Sequence, residues 1–321
     1  MIRVVLLFFT AFFGGTSVLF AHTRWFAHEP LAPLVTNEPT GLYLTVWAFI
    51  CAAVVAVGIW LEKKRMFQLD WLMPKASHAF AREASVFSMV AGAFLMIGGT
   101  HEYLFSPNLS VEAGIPMTLI MLQFVLGISF LLGVFARVSA LALIALWIAA
   151  FPFAGWVAML EDVWVLSTAL FILIMGNEYF SVVKFRALAH ITKRYQAYAL
   201  PILRMGTGLT LLTLGFSEKI LHPEFGINFL RQYDWNFMQL MGLQYSDYLF
   251  TLSAGVVESL FGLVFILGIM TRLNALVVAI FFTTPLFFLG PIELAGHVPH
   301  FAAVILILLF GAGTRFRPFK A

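Results

Sequence analysis

One carboxylate lies inside an otherwise apolar run of this sequence. The run is GVVESLFGLVFILGIMTRLNALVV, residues 255–278, and its acid is Glu258. Glu258 is about ten residues from the expected outer end of its helix, or roughly 15 Å deep at 1.5 Å per residue. Because an ionisable side chain is costly in lipid, Glu258 must face protein or water. It is either a hydrogen-bonded clamp between helices or a candidate catalytic residue that transfers protons or binds a ligand.

The second candidate group is a pair of histidines in GHVPHF, residues 296–301. His297 and His300 are spaced i, i+3 and therefore lie close to one helical face. Such a pair can exchange protons near neutral pH, hydrogen-bond a quinone or ligate a metal, so both are candidate catalytic residues. Packing at the membrane interface is the alternative.

Two shorter groups of polar residues accompany them. Glu218, Lys219 and His222 are expected on the same outer side as the histidine pair, where they would contribute to a cofactor site. His22 and His28 lie near the N-terminus, and cleavage of a signal peptide after Ala21 would free an amine beside the His22 imidazole. That nitrogen set is typical of copper. Without cleavage, residues 3–21 remain as an anchor helix.

Composition places these groups in a membrane protein. The chain has 321 residues, of which 61% are hydrophobic and 11% charged, and a mean hydropathy of +0.94. A soluble core does not absorb this much apolar surface. Cys51 is the single cysteine, which excludes an intramolecular disulfide, a CxxC redox pair and a thiolate cluster. The sequence has no basic cluster that would indicate nucleic-acid binding. It also has no Gly-rich phosphate loop that would indicate ATP-driven transport.

The sequence predicts ten membrane spans of roughly 20 apolar residues. They lie at about 3–21, 40–61, 84–101, 116–136, 138–157, 162–180, 199–217, 248–270, 273–290 and 298–313. Basic residues, among them Arg137 and Arg272, fall in alternate connections, and acids fall in the others. This alternation predicts cytoplasmic termini in a bacterial inner membrane, with the C-terminus in the cytoplasm.

The chain repeats itself internally. Residues 123–141 match residues 258–276 at an offset of 135, and residues 98–107 match residues 214–223 at an offset of 116. The expected fold is therefore all-α, with two parallel four-helix repeats preceded by two N-terminal helices. The corresponding units are 1–83 (N-terminal helices and outer segment), 84–180 (first repeat, degenerate), 181–199 (cytoplasmic linker) and 200–316 (second repeat).

The second repeat resembles the DoxX/DoxD-like family of four-helix membrane proteins. The resemblance is carried by Gly-x-x-Glu-Lys-x-x-x-Pro at 215–223 and by Glu-x-x-x-Gly-x5-Gly-x-x-Thr-Arg at 258–272. In the first repeat Tyr103, Gln123 and Ala136 replace the lysine, glutamate and threonine of these motifs. The family includes a subunit of a thiosulfate:quinone oxidoreductase, so the resemblance implies a quinone as cofactor or substrate.

Three functions fit the sequence. The first is a quinone-interacting, redox-linked membrane subunit with a site near the outer leaflet, which would receive electrons from a soluble or membrane redox partner. The second is a proton-coupled or metal and solute transporter, although Pro152 and Pro285 are the only residues that would interrupt a span. The third is a non-catalytic scaffold or assembly factor whose aromatic outer loop, residues 222–247, docks a partner. That loop would otherwise lie in the interface or cover a lipid-soluble ligand.

Overall fold

The computed structural model describes residues 38–177, 179–183, 188–284 and 291–317, and these residues form helices without any β-strand. One π-helical turn, Gly215–Ile220, follows directly on α6. The helices are α1 (Thr40–Lys63), α2 (Ala79–Thr100), α3 (Met117–Leu132), α4 (Ala136–Glu161), α5 (Val163–Met175), α6 (His190–Leu214), α7 (Pro223–Tyr233), α8 (Phe237–Leu240), α9 (Asp247–Leu267), α10 (Thr271–Thr283) and α11 (Pro291–Phe310).

Five helices in the described ranges, namely α1, α2, α4, α6 with its π turn, and α9, are long and apolar enough to cross a membrane. Shorter apolar helices, α3, α5, α10 and the last part of α11, coincide with four other predicted spans. This architecture is compatible with an integral membrane protein, as the composition predicts. The first predicted span, 3–21, lies outside the described residues.

Neighbouring helices pack in pairs. Helix α2 packs on α3, α4 on α5, α6 on α9 and α10 on α11. These pairs join along α5 against α6 and along α11 against α2. Helix α1 contacts α9.

Glycines bring the backbones of paired helices into direct contact. A Cβ placed on Gly92 of α2 would lie 2.6 Å from the carbonyl oxygen of Gly127 in α3. A Cβ on Gly208 of α6 would lie 2.6 Å from the carbonyl oxygen of Gly262 in α9. Gly208 follows Gly92 by 116 residues and Gly262 follows Gly127 by 135 residues, which are the two offsets found in the sequence. Small residues at these positions permit the close approach.

Two arginines lie against glycines at helix ends, and one of them, Arg137, caps its helix. The Arg137 guanidinium lies against Gly176 and donates to the Met175 carbonyl at 3.3 Å and to Thr192 Oγ1 at 2.7 Å. The Arg272 guanidinium lies against Gly311. Arg272 follows Arg137, and Gly311 follows Gly176, by the same 135 residues. The sequence predicts arginines that extend towards the membrane surface, but Arg137 is buried because the terminal carbonyls of α5 need donors.

Three elements differ from the sequence-based expectation. Helix α6 begins at His190 instead of near 199, because polar residues 190–198 extend it beyond its apolar part. Helix α11 begins at Pro291 instead of near 298, so Pro299 lies inside the helix and not in its first turn. Helix α4 is interrupted at Gly155, where φ is 77° and ψ is 165°.

The contact between α6 and α9 predicts a strong effect of one methyl group. In Gly262→Ala the added Cβ would overlap the Gly208 carbonyl and approach the Leu212 nitrogen to 2.6 Å. Since these are backbone atoms, the helices must separate, at a cost of about 1–3 kcal/mol. Thermal unfolding of the purified protein in detergent measures this loss.

Gly58→Ala provides the matched control. Its Cβ would meet the end of the Ile269 side chain at 3.5 Å, which is an ordinary contact. The substitution should leave stability unchanged or raise it by up to about 1 kcal/mol, because alanine favours the helix interior. Equal effects of the two substitutions would contradict tight packing between α6 and α9.

Candidate functional site

Three consecutive residues of the π-helical turn point to two different polar sites. Ser217 donates a hydrogen bond to Glu161 Oε1 at 2.6 Å, and the buried Glu218 acts on Asp162 electrostatically. Lys219 instead forms an ion pair with Glu258. A π turn widens the helix and changes the direction of its side chains, and such turns are frequent at functional sites. This turn therefore connects the carboxylate in α9 with a group of acids, called the outer cluster because the charge pattern predicts that this side faces outward.

The ion pair explains how Glu258 is accommodated. Lys219 Nζ lies 2.5 Å from Glu258 Oε2, and the two side chains are 16% and 8% exposed. A Cβ on Gly255 would meet the Lys219 Cβ at 2.7 Å, so the absence of a side chain at position 255 lets the lysine pass. The charge on Glu258 is thus balanced within the protein.

In the first half of the chain, the position equivalent to Glu258 carries no charge. Gln123, the counterpart of Glu258, accepts a hydrogen bond from the Phe105 N–H at 2.7 Å. Its amide donates to the carbonyl oxygens of Leu95 and Tyr103, each at 3.1 Å. Tyr103 is the sequence counterpart of Lys219, so related positions are in contact in both halves. A neutral amide bonded to the backbone replaces an ion pair.

Asp162 is the centre of the outer cluster, in the connection between α4 and α5. Its carboxylate accepts from Ser106 Oγ at 2.7 Å and from Trp164 Nε1 at 3.1 Å. Burial raises the pKa of Asp162 to about 7, and the neighbouring charges of Glu161 and Glu218 act in the same direction. The two hydrogen bonds act against this rise and lower the pKa. Carboxylates that share a water-poor space do not all ionise together.

His300 faces this cluster from the second half. It is 5% exposed, and neither ring nitrogen has a hydrogen-bond partner among the residues that the structure describes. Its ring packs on Trp164 with centroids 5.4 Å apart. It lines a cavity of about 10 Å³, room for one water molecule, together with Ser106, Asn108, Glu161, Asp162, Trp164 and Leu214. A buried imidazole normally forms hydrogen bonds, so this position fits a water or a small polar ligand.

The other predicted residues lie apart from this cavity. His297 packs on Phe282, with ring centroids 5.0 Å apart, and its ring centroid is 6.4 Å from that of His300. His222 is largely exposed and lies 3.1 Å from Glu224, so it joins neither Lys219 nor Glu218 in a common site. The predicted cofactor group is thereby divided between different surroundings, because adjacent residues of a helix do not share a face.

His22 and His28 lie outside the described residues. Within the described ranges no group of three or more His, Cys, Asp or Glu side chains is arranged to hold a metal ion.

Sequence reasoning missed two important residues. Asp162 is one of the acids that fall in the outer connections of the predicted topology. The adjacent Glu161 and Asp162 between two apolar runs are the sequence signal for a polar site there. Arg204 lies fully buried in α6 and donates to the carbonyl oxygens of Phe265, Ile266 and Phe316. A single arginine inside an apolar segment is the indication for this helix cap.

The helices and the buried polar groups define a class: a helical protein that is compatible with the membrane and contains a buried acidic site. No family model matches the sequence, no curated protein matches it, and no solved structure matches the fold.

The ion pair predicts a large penalty when only one partner is removed. Lys219→Met leaves the Glu258 carboxylate buried without its cation, which typically costs about 3–5 kcal/mol. The double variant Lys219→Met/Glu258→Gln should regain most of that loss, because no charge remains. Denaturant unfolding of the single and double variants measures the coupling. Lys193→Met, at an exposed position on α6, should stay within about 0.5 kcal/mol of the original protein. A double variant as unstable as Lys219→Met would contradict the pairing.

The raised pKa of Asp162 predicts how stability depends on pH. The folded protein binds this proton more tightly than the unfolded chain, so the stabilisation is complete at low pH and is lost as pH rises towards about 7. Between about pH 5 and about pH 8 the melting temperature should fall, and Asp162→Asn should reduce that fall. Glu112→Gln, at an exposed acid, should retain the original pH dependence. An unchanged slope in Asp162→Asn would show that Asp162 does not titrate in this range.

Proposed function

We propose that this chain is an integral membrane protein that exchanges protons through the cavity formed by Asp162, Glu161 and His300. The observation that carries the proposal is the buried imidazole without a described hydrogen-bond partner on a cavity lined by carboxylates. A neutral imidazole offers one donor and one acceptor, and crowded carboxyl groups hold protons at neutral pH. Buried acids and histidines in membrane proteins commonly form proton relays.

The size of the cavity restricts what is exchanged. A volume of about 10 Å³ accommodates a water molecule but not an aromatic quinone ring. A quinol would therefore remain at the lipid-facing surface and pass its protons inward. Oxidation of a quinol releases protons and electrons, and we assign only the protons to this site. The electrons would pass to a redox partner, since the sequence has no CxxC pair.

The redox-linked role is the first specific form of this proposal, and it rests on the DoxX/DoxD-like resemblance. The tandem arrangement, residues 84–180 and 200–316, belongs to the same proposal. It is supported by the equivalent glycine contacts, by the shared cap geometry of Gly133 and Gly268, both with φ 68°, and by the equivalent positions of Arg137 and Arg272 against glycines. A cytoplasmic C-terminus in the inner membrane is supported by the distribution of basic residues.

A proton-coupled transporter is the second form, and one observation favours it. Helix α4 loses helical geometry at Gly155, six residues before Glu161. Unwound positions close to an ion site are typical of transporters, because they free backbone groups and allow segments to move. The sequence alone offered only Pro152 and Pro285 as interruptions, so Gly155 strengthens this alternative.

Infrared difference spectroscopy at two pH values tests proton binding directly. Purified protein in lipid nanodiscs should show the C=O stretching band of a protonated carboxyl group, shifted in D2O and lost in Asp162→Asn. Glu112→Gln should keep the band. A spectrum without it, or one unaffected by Asp162→Asn, would remove the proton-exchange proposal.

Two further measurements, one with an added quinone and one with a variant, separate the two forms of the proposal. A short-chain quinone that shifts the Asp162 band would support the redox-linked role. For transport, Gly155→Ala is informative because positive φ disfavours alanine. If the quinone has no effect while Gly155→Ala slows proton exchange, the transporter is favoured.

A further inference from the structure

The outer loop carries apolar side chains on its outside. We define the loop tip as residues 237–244, which comprise α8 and the following turn. Leu240 and Met241 are 69% and 72% exposed, and Phe237 and Leu243 are also exposed. No charged residue occurs between Asp234 and Asp247. Clustered exposed apolar side chains of this kind mark an interaction surface.

One polar side chain beside the loop tip is buried and holds the loop together. Asn236 is 4% exposed, and its amide donates to the Tyr245 carbonyl and to Asp247 Oδ1, each at 2.9 Å. The exposed Gln239 also donates from its amide to the Tyr245 carbonyl, at 3.0 Å. The backbone is thereby closed into a compact loop, and Leu240, Met241 and Leu243 remain on its outside.

The loop tip lies beside the outer end of α1. The Tyr245 hydroxyl contacts the Tyr43 hydroxyl in the first turn of α1, and Ser253 Oγ of α9 lies 2.5 Å from both. The most apolar window of α1 contains no buried residue, and Leu42 is 68% exposed. The lipid-facing surface of α1 therefore continues onto the loop tip.

We propose that the loop tip inserts into the outer leaflet, at the boundary between headgroups and acyl chains. The occupant is lipid, because the surface continues that of α1 and offers apolar area without charge. Binding would come from burial of Leu240, Met241 and their neighbours. It should therefore be as strong on zwitterionic as on anionic bilayers, in contrast to a basic amphipathic helix.

Depth-dependent fluorescence quenching tests this placement. Cys51→Ser removes the single cysteine, and Leu240→Cys or Met241→Cys then carries an environment-sensitive fluorophore. In nanodiscs, lipids with a shallow spin label should quench both positions several-fold more than iodide does, with zwitterionic or anionic lipid alike. Val111→Cys, an exposed position beside Glu112 in the first half, is the control and should respond mainly to iodide.

Each other result overturns the proposal. Full iodide access without lipid quenching would mean that the tip lies in water, free for a soluble protein. Protection from both quenchers that disappears on dilution to one copy per nanodisc would mean contact with a second copy. Quenching that requires anionic lipid would mean electrostatic binding. Size-exclusion profiles and the Val111→Cys control show that each variant is folded.

Discussion

The close approach of α6 and α9 is the constraint on which the candidate sites depend. Backbone contact between Gly208 and Gly262 fixes the distance between the helices, and Gly215 and Gly255 continue the contact, with a Cβ on Gly215 only 2.5 Å from the Gly255 carbonyl oxygen. Lys219 reaches Glu258 only because no side chain separates the helices there. The π turn begins at Gly215, within this packing, and its Glu218 acts on Asp162 while its Lys219 pairs with Glu258.

Buried charges are accommodated differently within the packed helices and at the connection between α4 and α5. Deep in the packed helices, Arg204 is satisfied by carbonyl groups at the end of α9, and Glu258 by one ammonium group. Near the outer end, Asp162 is held by neutral donors in the presence of other acids, so its charge depends on pH. The first arrangement stabilises fixed charges, whereas the second allows a proton to bind and leave.

Much of the helical architecture could be predicted from apolar run lengths, and the buried position of Glu258 from its surroundings. The partner of Glu258 could not be predicted, because the sequence does not show which residue of a neighbouring helix faces it. The depth of His300 was also missed, since α11 begins earlier than its apolar run. The cavity joins residues 106, 162 and 300, whose proximity results from tertiary packing and from no local pattern.

Helix α1 is attached to the bundle at its two ends. Thr40 bonds to Tyr248 at 2.8 Å at the outer end, and Glu62 accepts from the Met270 N–H and from Arg317 at the other end. Its 24 residues extend over about 36 Å, compared with a hydrocarbon thickness of about 30 Å. With both ends fixed, α1 does not change its tilt independently. A thinner bilayer would then have to adapt to the protein, or the whole bundle would tilt, so that hydrophobic mismatch acts on the complete molecule.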